Sequence, residues 1–115
     1  MQPPAAPRLL HSGPSVIQTG CLVIDRDRYR VSVEGRPVHL TYLEFNVLWL
    51  IAELDGRVAT YEALADALWG ERTAKTRRRL AVVVSRMRSK LGEPGAACID
   101  TVTRVGYRLS ADGRV

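Results

Sequence analysis

Between Arg72 and Lys90 the chain carries eight basic residues (Arg72, Lys75, Arg77, Arg78, Arg79, Arg86, Arg88 and Lys90) and no acidic one. Guanidinium forks at this density suit anions, pairing with phosphate oxygens or with the O6 and N7 of guanine. On a helix of about 3.6 residues per turn, Lys75, Arg78, Val82, Ser85 and Ser89 share one face, with Arg79 and Arg86 on its shoulder. Val82 is apolar in the middle of that face, suited to a thymine methyl or to the margin of a core. The segment is +8, whereas the rest of the chain is −3, within a total of +5. A positive excess confined to one element points to a polyanion meeting that element rather than to general solubility.

Other chemistries find no support in the sequence. Cys21 and Cys98 form no Cys-x-x-Cys motif and have no histidine beside them, so they read as reduced, mostly buried thiols rather than zinc ligands or a redox switch. His11 and His39 are isolated. With no Ser/His/Asp set, paired carboxylates or Gly-rich phosphate loop, the expectation is a protein that is not an enzyme and uses no cofactor and no metal. No apolar run approaches the roughly 18 residues of a membrane span, and the Pro-rich start lacks the apolar block of a signal peptide. A soluble cytoplasmic protein without a membrane partner is expected.

The 115 residues, 46% hydrophobic and 25% charged, are enough for one globular core. Residues 1–18, with Pro3, Pro4, Pro7, Gly13 and Pro14, read as a flexible tail or linker, leaving 19–112 as the domain. Cys21–Asp25, Tyr29–Val33 and Pro37–Leu40 alternate as strands of an antiparallel meander turning at Glu34-Gly35-Arg36. Thr41-Tyr42-Leu43-Glu44 is a capping box, in which the Thr hydroxyl and the Glu carboxylate exchange places on each other's amides. The helix that follows runs to about Leu54 and is apolar on two opposed sides. One side is Phe45, Leu48, Trp49 and Ala52; the other is Leu43, Val47, Leu50 and Leu54. Both must be covered.

Val58-Ala59 adds a short strand, and Thr60 caps a second helix with an Ala63, Leu64, Ala67 and Leu68 stripe closed at Trp69-Gly70. After a connection over 71–74, a third helix spans 74–91 on a Leu80, Val83, Val84, Met87 and Leu91 stripe, stopping at Gly92 ahead of Pro94. Cys98–Val102 and Tyr107–Leu109 pair as strands around a basic tip at Thr103-Arg104-Val105-Gly106. This order is α+β: an N-terminal antiparallel sheet of three to four strands, three helices and a C-terminal β-hairpin, the layout of a winged helix-turn-helix.

Leu40-Thr41-Tyr42-Leu43-Glu44-Phe45, Gly56-Arg57-Val58, Ala67-Leu68-Trp69-Gly70, Val84-Ser85-Arg86-Met87-Arg88-Ser89-Lys90-Leu91-Gly92 and Val105-Gly106-Tyr107-Arg108-Leu109 together resemble the DNA-binding output domain of OmpR/PhoB-type bacterial response regulators. The likeness covers about residues 20–110. It implies transcription regulation in two-component systems by binding double-stranded DNA at direct repeats, as homodimers, with RNA polymerase contacted in activators. The 115 residues leave no room for a receiver domain, so the expectation is an output domain, stand-alone or part of a longer regulator.

By the resemblance, the DNA-facing residues are Arg78, Arg79, Ala81, Val82, Ser85, Arg86 and Arg88, with Lys75 and Arg77 in the same basic run. Trp69 is placed to donate its indole N–H to phosphate or to be buried between helices. Thr60 and Tyr61 start the second helix, where amides and hydroxyls meet phosphate, Thr60 being first a cap. Arg104 is the wing residue for the minor groove. The sequence departs from the family's pattern at Ala81, where an acid is common, at Val83, where a His is common, and at Thr103-Arg104, which replaces an Arg-Gly tip. The alternative reading is a protein-interaction module built on the same fold, using the first helix or the 71–75 loop.

Overall fold

The computed structural model describes residues 15–110. A four-stranded antiparallel sheet comes first: β1 (Val16–Thr19), β2 (Leu22–Asp25), β3 (Arg30–Val33) and β4 (Arg36–Val38), in the order β1-β2-β3-β4. Alternation puts Leu22, Ile24, Val31 and Val33 inside, so the sheet has one core face. The β3–β4 turn is two residues long, with positive φ at both Glu34 (51°) and Gly35 (79°), the twist that a tight hairpin requires. β1 corrects the expectation of a tail over 1–18, since Val16–Gln18 belong to this strand. It is an edge strand paired with β2 and contributes no fully buried residue. Residues 1–14 of that tail lie outside the described residues.

α1 (Tyr42–Ala52) begins in the expected capping box. The Glu44 amide donates to Thr41 Oγ1 at 3.1 Å, and the Thr41 amide donates to Glu44 Oε1 at 2.9 Å. Lys90 Nζ donates to the same carboxylate oxygen at 2.8 Å. Burial pushes the Glu44 carboxyl up, but the Lys90 and Thr41 hydrogen bonds and the Lys90 charge outweigh it and hold the group below the usual carboxylate value. Phe45, Val47, Leu48, Trp49, Ile51 and Ala52 are buried, while Leu43, Leu50 and Leu54 are half-buried. α1 is therefore the central helix, covered on both sides as its composition demands, with Ile51 fully inside.

β5 (Ala59–Thr60), α2 (Tyr61–Trp69) and α3 (Ala74–Gly95) follow, then a short 3₁₀ turn (Ala96–Cys98) and the hairpin β6 (Ile99–Val102) and β7 (Gly106–Leu109). On α2 the buried residues are Leu64 and Ala65, with Leu68 half-buried; Ala63 and Ala67, expected in the stripe, are exposed. On α3 the expected stripe of Leu80, Val83, Val84, Met87 and Leu91 is buried, joined by Thr76. Helical geometry breaks where expected, at Gly92 (φ 62°, ψ −173°) and Glu93. The second sheet has the order β5-β7-β6, all antiparallel. Gly106 pairs with Thr60, and a Cβ there would fall 2.0 Å from the Ala59 carbonyl oxygen. Only glycine lets the hairpin approach the start of α2 this closely.

Candidate nucleic-acid interface

α2 and α3 are joined by a sharp, defined turn. Gly70 ends α2 in the left-handed conformation (φ 73°), its N–H donating to the Asp66 carbonyl. Three residues later α3 restarts in a second capping box. Here the Thr76 amide donates to Thr73 Oγ1 at 3.2 Å, and the Thr73 amide donates to Thr76 Oγ1 at 2.8 Å. Thr76 is buried by this arrangement, a role that its place in the basic run concealed. Inner packing through Leu80, Val84 and Met87 then fixes which side of α3 faces outward.

That outward side carries Lys75, Arg78, Arg79, Ala81, Val82, Ser85, Arg86 and Ser89, all exposed. Val82 is 48% exposed, so it belongs to the outer face and not to the margin of the core. The Arg79 guanidinium lies 5.0 Å from the centre of the half-buried Trp69 ring, linking the end of α2 to the face of α3. Arg77 lies 4.1 Å over the Tyr61 ring, and Tyr61 in turn meets Tyr107 edge-on at 5.5 Å. These cation–π contacts align two arginines without withdrawing their N–H donors. Thr60 Oγ1 accepts from the Ala63 amide at 3.0 Å, so Thr60 acts as the helix cap. A cavity of about 290 Å³ lies in the angle between the helices, lined by residues that include Tyr61, Arg72, Thr73 and Arg77.

Arg88 is placed differently from the other arginines of the run. It donates to the Ile99 carbonyl at 2.6 Å and to Thr101 Oγ1 at 2.9 Å, and its guanidinium lies 5.7 Å from the Tyr107 ring. It ties α3 to the hairpin, and its partners, distant in sequence, gave no local signal. Lys90 is likewise held by Glu44. On the hairpin, Arg108 and Asp100 form a 3.6 Å ion pair, and the tip is closed by the Val105 N–H donating to the Val102 carbonyl at 2.9 Å. Arg104 is exposed there with φ 70°, at the turn position where glycine is normally required. Arg72, exposed at the entrance to α3, adds a cation that the sequence reading left out of the site.

Among the described residues no group of three or more His, Cys, Asp or Glu side chains gathers as metal ligands. None of their helices is long and apolar enough to cross a membrane.

Residues 35–109 match the family described as "Transcriptional regulatory protein, C terminal". The chain is 34% identical over 87 residues to the response regulator ArlR of Staphylococcus saprophyticus, covering 75% of this chain and 40% of that protein. It is 31% identical over 94 residues to the phosphate regulon transcriptional regulatory protein PhoB of Pseudomonas aeruginosa, covering 82% of this chain and 41% of that one. The chain thus spans about two fifths of the length of these relatives. The fold is similar to the RstA DNA-binding domain of Klebsiella pneumoniae in complex with the RstA box, with a TM-score of 0.74 and 30% identity over 85% of this chain and 99% of that one. With the capped helices, the basic face of α3 and the hairpin all in the family's order, the chain belongs to the OmpR/PhoB-type DNA-binding domains of transcriptional regulatory proteins.

Proposed function

We propose that this domain regulates transcription by lying with α3 in the major groove of double-stranded DNA and the Arg104 tip on the adjacent minor groove or backbone. The observation that carries this reading is the outer face of α3. It is exposed, basic and free of acids, it presents Val82 among its arginines, and it is held rigid from behind by the core. Arg78 and Arg86 are the base-reading candidates, since a guanidinium fork matches guanine O6 and N7. Lys75, Arg77 and Arg79 suit phosphates and set register, and Ser85 offers a short polar contact to either. Tyr61 and Trp69, each under an arginine, support the phosphate side. Arg88 acts through the hairpin that it holds.

The RstA domain solved on its box supports DNA as the ligand for this shape. Binding to direct repeats as a homodimer, contact of the 71–74 loop with RNA polymerase, and a place on the bacterial nucleoid in the cytoplasm complete the reading. A salt series on a duplex selected from a random pool, set against a scrambled duplex, tests it. A recovered motif with clear preference over the scramble is expected. Arg86→Ala should then lose about 1–3 kcal/mol on the motif and little on the scramble. Equal binding to both duplexes with the same salt slope would leave α3 as a phosphate surface only and favour a protein partner.

A further inference from the structure

Cys21 and Cys98 are 77 positions apart, yet their sulfurs stand 3.7 Å from each other. Cys21 lies with Gly20 in the turn between β1 and β2 and is half-buried, while Cys98 is buried where the 3₁₀ turn leads from α3 into β6. Both backbones are anchored: the Glu34 N–H donates to the Cys21 carbonyl at 2.8 Å, and the Ser110 N–H donates to the Cys98 carbonyl at 2.7 Å. An open surface cavity of about 570 Å³, lined by Gln18, Cys21, Glu34, Pro94 and Cys98 among others, leads to the pair. Cys98 belongs to the core, but Cys21 is half-buried and both thiols line a solvent-open cavity, so they are placed for chemistry with each other.

We propose that Cys21 and Cys98 form an oxidative modification site at which a hydroperoxide drives formation of an intramolecular disulfide. In the first step the Cys21 sulfur attacks the peroxide O–O bond; with hydrogen peroxide this gives a sulfenic acid and one water. In the second, the Cys98 sulfur displaces the sulfenic oxygen, which leaves as a second water while the S–S bond forms. The thiols lose two electrons in all and the peroxide gains them. Closure needs the sulfurs to move from 3.7 Å to about 2.05 Å. Burial, reinforced by the neighbouring Cys21 thiol, pushes the Cys98 thiol up to about 11. This makes Cys98 the partner that closes the bond and the half-buried Cys21 the one that meets the oxidant first. The bond would clamp the first sheet to the root of the hairpin and enclose all three helices in one covalent loop.

The test is peroxide treatment of the reduced chain, followed by free-thiol titration, peptide mapping and thermal unfolding. Expected are the loss of both thiols, a peptide joining Cys21 to Cys98 in the monomer, and a rise in Tm on the order of 10 °C that a dithiol reductant reverses. Cys21→Ser, which changes a half-buried side chain, should keep the fold and show no such shift; Cys98→Ala serves if Cys98→Ser does not fold. Sulfinic acid at Cys21 without the joined peptide, a disulfide found only between chains, or both thiols surviving peroxide that oxidises free glutathione would each overturn the proposal.

Discussion

Arg86 and Arg88 stand two positions apart on α3 in opposite surroundings. Arg86 is exposed, whereas Arg88 is bonded to Ile99 and Thr101. Alanine substitution should separate them. Arg86→Ala is expected to leave Tm unchanged while weakening the specific complex, and Arg88→Ala to lower stability by about 1–2 kcal/mol, read by urea denaturation without DNA. Helix periodicity alone put both arginines on the same basic element, because the acceptors of Arg88 lie on a hairpin that only the folded chain brings near. Arg104 gives a third test. Its left-handed φ of 70° strains a side-chain-bearing residue, so Arg104→Gly should stabilise the domain by about 0.5–1 kcal/mol. The same change should make the dependence of DNA affinity on salt shallower by about one unit of log–log slope, through loss of one phosphate contact.

Elements were legible where their signals are local. The Thr41–Glu44 box, the α3 stripe and the stop at Gly92 depend on residues within one or two turns of each other, and the structure follows the sequence at each. β1 was not legible, since Val16–Thr19 buries nothing completely and follows a run of prolines that masks a four-residue edge strand. Ala63 and Ala67 misled for a different reason: alanine suits a helix whether or not it is covered, so its spacing says little about burial. The Cys21–Cys98 contact, spanning 77 positions, left no pattern in the sequence. At α1, the Glu44 carboxylate serves as cap and as partner of Lys90. Because its folded value is depressed, its stabilisation is present above the unfolded value near 4.5 and is lost as pH falls through the lower folded one. Glu44→Ala should therefore cost about 1–2 kcal/mol at neutral pH and much less at the acid end, measured by denaturant midpoints across that range. Gly106→Ala should be more severe, about 3 kcal/mol or more, because the Ala59 backbone cannot yield to a Cβ placed 2.0 Å from its oxygen.

Across the whole molecule, the four-stranded sheet, α1 and the inner side of α3 share one core, and the positive excess is concentrated on a single element. The fold and the basic face could be anticipated from sequence; which cations stay free could not, because pairing partners are set by tertiary contact. Thr60 concentrates the architecture in one residue: it pairs with Gly106 in the second sheet and caps α2, while Arg88 fastens the first strand of the same hairpin, at Ile99 and Thr101, to α3. The helix-turn-helix and the hairpin are thereby fastened at two points, like the jaws of a caliper locked at one opening. A caliper does not adjust to what it measures. In the proposed binding mode, DNA whose groove spacing differs from the set opening has to bend or twist to fit, at a cost that depends on the stiffness of its base steps. Sequence preference should consequently extend to base pairs between the two contact points that no side chain reaches.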